Sequence, residues 1–115
     1  MAAENIGWRL ENVVYIELLR RCASDFLDVY YYKQATTGKE VDFVICDKNE
    51  VLELIQVSYD IDSKKAYDRE TSALVLASGL LKCNNLTLIA FSDTRNVTIN
   101  GKTIHIKSAI EWLLA

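Results

Sequence analysis

Two polar side chains stand where strand-forming residues dominate, and they mark where this chain could do chemistry. Asp42 lies between Val41 and Phe43, and Gln56, fourteen residues on, lies between Ile55 and Val57. Burying either without a partner costs a few kcal/mol, so each needs a ligand or a protein partner. A carboxylate and an amide brought together can serve a common site, or they can hydrogen-bond each other as a closed structural pair. Asp42 could instead cap a turn or pair with Lys39 or a nearby arginine. Gln56 could be satisfied by a neighbouring helix.

The other residue types narrow the chemistry. His105 is the only histidine, so a histidine-based triad or a multi-histidine zinc site is implausible. It alternates with Ile104 and Ile106 and reads as a solvent-facing strand residue. Cys22, Cys46 and Cys83 show no Cys-x-x-Cys pairing and read as reduced, small core residues of a cytoplasmic protein. Two glycosylation-type triplets, at Asn85 and Asn96, read as chance without a secretion signal. No Gly-x-x-x-x-Gly-Lys-Ser/Thr loop is present, so no nucleotide is hydrolysed by that device. The net charge of −3 and pI of about 5.1 argue against a strong autonomous grip on duplex nucleic acid. A small basic patch or a charged neighbouring domain stays open.

At 115 residues, half of them apolar, the chain is expected to be one domain spanning 1–115 with a real core. No apolar run reaches the roughly 20 residues that span a bilayer. Met1-Ala2-Ala3-Glu4 reads as a native start or an added expression edge, the second favoured because a helix begins almost at once.

That helix is expected from about Asn5 to Ala23, with Leu10, Val13, Val14 and Leu18 facing a core and Arg20-Arg21 closing the last turn. Glu11 and Glu17 project about 120° apart, so at most one addresses a given site. From Tyr30 to Ser58 the pattern predicts three consecutive strands joined by two tight turns, at Thr37-Gly38 and Asp47-Lys48-Asn49. In the second strand Val41, Phe43 and Ile45 should oppose Glu40, Asp42 and Val44. The third is apolar on both faces and should be central. A helix follows over about Ser63 to Lys82, with a charged first half of Lys64, Lys65, Asp68, Arg69 and Glu70. The strand Leu86–Phe91 should then run parallel to the third. A hairpin turned by Asn100-Gly101 and a short helix, Ala109 to Leu114, complete an α/β sandwich with a mixed sheet.

Helix, three-strand meander, helix and strand is the order of the restriction-endonuclease-like core, a three-layer sandwich with a mixed central sheet. Residue by residue, the chain resembles the C-terminal domain of unknown function of a large family of prokaryotic AAA-type ATPases. Arg9 to Arg21, Tyr30-Tyr31-Tyr32, Gly38-Lys39-Glu40-Val41-Asp42-Phe43-Val44, Glu53-Leu54-Ile55-Gln56-Val57 and Ile110 to Leu114 carry the likeness. It implies that Asp42 is the second-strand metal ligand, that Gln56 stands at the lysine position, and that Glu11 is the helix glutamate. In such sites carboxylates hold Mg²⁺, which clamps a scissile phosphate and activates water. This sequence departs from the pattern. The acidic partner should stand at Leu54, whereas Glu53 is one residue off and faces the other way unless a bulge re-aims it. Gln56 also lacks the lysine charge.

Three expectations follow. The first is a catalytically degenerate accessory domain, a fragment of a larger ATPase, serving nucleic-acid or partner docking beside an N-terminal ATPase domain and binding Mg²⁺ weakly through Asp42 and Glu11. The second is an active Mg²⁺-dependent DNA nuclease using Asp42, Gln56 and Glu11, with Glu53 brought round. The third is a protein-interaction or oligomerisation module in which Asp42 and Gln56 form a structural pair.

Overall fold

The computed structural model describes residues 3–115, with side chains described from Trp8 onward. Met1 and Ala2, on which the reading of the chain's start falls, lie outside the described residues. Helix α1 (Ala3–Asp25) leads into strands β1 (Asp28–Lys33), β2 (Glu40–Asp47) and β3 (Glu50–Ser58). Helix α2 (Lys64–Leu81), β4 (Leu86–Ala90), the hairpin of β5 (Arg95–Ile99) and β6 (Lys102–Ser108), and α3 (Ala109–Leu114) follow. The six strands form one mixed sheet in the order β1-β2-β3-β4-β6-β5. β4 runs parallel to β3 and to β6, and the remaining neighbours are antiparallel.

Two apolar layers sandwich the sheet. On one face Leu74 and Ala77 of α2 pack on Val41, Val44, Leu54, Leu88 and Ile106. On the other, Val14, Leu18 and Cys22 of α1 and Trp112 of α3 pack on Phe43, Ile45, Ile55 and Ile89. All three cysteines are buried free thiols. Among the described residues no helix is long and apolar enough to cross a membrane.

Local chemistry accounts for the ends of the elements and for three departures from expectation. Val13 is 46% exposed rather than core-facing, because α1 buries the arc through Val14 and Leu18 and Val13 projects about 100° away from Val14. Arg20 and Arg21 do not close the helix. Both hold Glu17, with Arg21 Nε 2.6 Å from its Oε2, and α1 continues to Asp25. The stop is Phe26, held at φ 57° and 92% exposed, with the Leu27 N–H donating to the Cys22 carbonyl at 2.8 Å. The first strand connection is a six-residue loop, 34–39, rather than a tight turn. Its clasp is Gln34, whose Oε1 accepts from the Thr37 N–H at 2.6 Å, while Gly38 takes the positive φ that a side chain would resist. Asn100 and Gly101 both have positive φ, the geometry of the two-residue hairpin turn expected there.

One irregularity positions the candidate site. Tyr30 pairs with Val44 and Tyr32 with Val41, so Asp42 and Phe43 together oppose Tyr31 alone. This is a β-bulge in β2, and it breaks the expected alternation. Val41 and Val44 both join the α2-side core, although they are three residues apart.

Candidate functional site at the strand fork

The β2–β3 ladder runs from Asp47–Glu50 to Phe43–Ile55 and is not continued beyond that pair. There the strands fork, and two side chains bridge the gap. The Asp42 N–H donates to Gln56 Oε1 at 2.7 Å, and Gln56 Nε2 donates to the Glu40 carbonyl at 2.8 Å. In return the Val57 N–H donates to Asp42 Oδ2 at 2.8 Å. Each side chain thus satisfies the backbone of the other's strand, replacing ladder bonds that the fork has removed. Because it lies in the plane of the fork, Asp42 lines cavities on both faces of the sheet. One, about 330 Å³ on the α1 side, includes Trp8, Glu11 and Tyr31. The other, about 430 Å³ on the α2 side, includes Gln56, Lys39 and Glu70.

Glu11 shares the α1-side cavity with Asp42, so the structure brings these two together. Glu53 is not among them. It pairs with Ile45 on the α1 face and accepts from Thr87 Oγ1 at 2.7 Å, three residues along β3 from Gln56. A bulge does lie next to it, between the Glu53 and Val51 pairs, but on the far side from the fork. Glu17 is committed to Arg20 and Arg21.

Two further carboxylates, Glu40 and Glu70, join the electrostatics of the fork. Burial pushes the Asp42 carboxyl up to about 7; the Val57 N–H pulls the other way, and the charges of Glu11, Glu70 and Glu40 add to the rise. Burial raises Glu11 as well, with Glu40 contributing. Glu70 is raised by burial, partly offset by Arg69, whose Nε lies 3.0 Å away. The sequence carried a signal for Glu70. It falls on the same helical face as Ala73, Leu74 and Ala77, so the stripe that faces the sheet extends into the charged half of α2. Glu40 is an exposed residue at the start of β2, paired with Lys33 at 3.7 Å, and periodicity alone gave no sign of it.

The donor set does not suit a hydrolytic divalent centre. One oxygen of Asp42 and the amide oxygen of Gln56 are already occupied by backbone N–H groups, and Glu53 is turned to Thr87. Among the described residues no group of three His, Cys, Asp or Glu side chains is placed to hold a metal ion. Such centres need several oxygen ligands converging on one point.

The molecule is therefore a mixed α/β sandwich domain with an acid-lined fork between two central strands. Its residues 7–108 match the family model described as Domain of unknown function (DUF4143), and the chain belongs to that family. It is also 33% identical over 114 residues to Uncharacterized protein MJ1544 of Methanocaldococcus jannaschii. That alignment takes in 96% of this chain and 25% of the archaeal protein, so the chain spans about a quarter of that relative's length.

Proposed function

We propose that this is a restriction-endonuclease-like accessory domain of a longer protein, without effective cleavage chemistry, that acts by docking a partner. The observation that carries the reading is the commitment of Gln56. It stands where the resembling nuclease fold has its lysine, and both ends of its amide are tied to the backbone of β2. A group held in this way cannot swing to orient water or to meet a developing charge. The short span of the chain within its archaeal relative supports an accessory role, with an AAA-type ATPase domain as the proposed neighbour. A protein partner is favoured over nucleic acid, because Glu11, Glu40, Asp42 and Glu70 all raise the cost of bringing a phosphate to the fork.

Titrating Mg²⁺ and Mn²⁺ into the isotope-labelled chain while following backbone amide shifts tests this, with Asp42→Ala run alongside. The expected result is no saturable shift around Asp42 and Gln56 up to several millimolar metal, and no cleavage of branched or single-stranded DNA. Saturable shifts that vanish in Asp42→Ala, together with metal-dependent cleavage, would restore the nuclease reading.

A further inference from the structure

The α1-side cavity has walls that a metal site does not need. Trp8, Tyr15, Tyr30 and Tyr31 line it together with Glu11 and Asp42. Phe43 backs this wall, stacked on Tyr15 with ring centroids 5.6 Å apart and planes 6° from parallel. Trp8, Tyr30 and Tyr31 are 68%, 54% and 59% exposed, so three large rings border the cavity without being covered. Aromatic faces and carboxylates share one preference. Both repel anions, and both attract cations that can shed water.

The carboxylates here also lack counter-ions. Glu40 has Lys33 and Glu70 has Arg69, but among the described residues neither Glu11 nor Asp42 has a lysine or arginine within ion-pair distance. Elsewhere the chain satisfies the same chemistry from within. The Arg21 guanidinium lies 4.2 Å from the centre of the Trp112 ring and donates to the Trp112 carbonyl at 2.7 Å. At about 330 Å³ the cavity is at the small end of ligand-sized sites, suited to a single side chain. A bare divalent ion would engage the carboxylates and leave the rings unused.

We propose that this cavity receives a cationic side chain, arginine in preference to lysine, presented by a partner protein. A planar guanidinium can stack on the rings while its edge pairs with a carboxylate, which a compact, strongly hydrated ammonium does less well. The inference rests on the docking reading and names the chemistry of the partner. The charge of an incoming guanidinium would also offset the like-charge repulsion that helps to raise Glu11 and Asp42.

N-acetyl-arginine amide is the probe, titrated into the labelled 115-residue chain while the Trp8 indole N–H and the Tyr30 and Tyr31 amides are followed. N-acetyl-citrulline amide, of the same shape without charge, is the control. Saturable shifts with the arginine compound and none with citrulline are expected. Trp8→Ala and Glu11→Gln should each weaken binding by roughly fivefold while sheet amides elsewhere stay in place. An equal response to citrulline overturns the inference, as does no response to arginine, or undiminished binding in Glu11→Gln. Failure here with no metal-dependent cleavage sinks the cation pocket alone, whereas cleavage sinks the docking reading beneath it.

Discussion

Asp42→Asn is expected to stabilise the folded chain at pH 8 by about 2 kcal/mol and to remove most of its stability change between pH 5 and pH 8. Burial lifts the Asp42 carboxyl from 3.8 to about 7. Between those values the folded chain holds a proton that the unfolded chain has released. Stability therefore falls as pH rises through this window and is greatest at its acid end. Asparagine keeps an oxygen for the Val57 N–H and carries no charge to bury. Glu17 works in the opposite direction. Hydrogen bonds from Arg20 and Arg21 hold its carboxyl down to about 2, so its contribution is lost as pH falls below about 4.5. Urea unfolding at pH 5 and pH 8, above that second window, run on the wild type and Asp42→Asn in parallel, separates the Asp42 effect from the same-direction contributions of Glu11 and Glu70. A wild-type chain at least as stable at pH 8 as at pH 5 would contradict the expectation.

Gln56→Leu should be the most damaging conservative change in volume, costing about 3 kcal/mol and lowering Tm by about 10 °C or more. Gln56 is 1% exposed, so leucine fits the burial but not the bonding. The Asp42 N–H loses its acceptor and the Glu40 carbonyl loses a donor. Gln56→Glu makes a useful companion. It keeps the acceptor but adds a carboxylate opposite the Glu40 carbonyl and beside Asp42, so its cost should grow from pH 5 to pH 8. If Gln56→Leu melts within about 1 kcal/mol of the wild type, the fork is not held in the way described.

Much of this architecture was legible in the order and period of the residues. The mostly apolar run Leu86–Ala90, interrupted only by Thr87, announced a covered parallel strand, and Asn100-Gly101 announced its hairpin because few other pairs tolerate two positive φ angles. Asp42 and Gln56 were conspicuous as polar interruptions, and the possibility that they bond was foreseeable. The manner of bonding was not, because each side chain serves backbone across a fork, and backbone divergence leaves no mark in composition. The outward face of α1 escaped for a related reason. Val13, Ile16 and Leu19 carry the apolar arc beyond what the sheet covers, so periodicity placed Val13 in the core where the helix leaves it exposed. Glu70 was hidden by its neighbours, since Lys64, Lys65 and Asp68 made the first turns of α2 look wholly solvated.

The bulge in β2 has a simple arithmetic. With Asp42 struck from the string, Glu40, Val41, Phe43, Val44, Ile45 and Cys46 alternate without a fault: Phe43 and Ile45 fall to the α1 layer, and Val41, Val44 and Cys46 to the α2 layer. Asp42 is the one residue of the strand that the apolar pattern does not require. Without it the alternation of the strand would run uninterrupted, so the extra residue sets the phase of β2 against β1. The residue that looks most like a ligand is thus also a spacer, and its presence in the chain is a matter of phase as much as of charge.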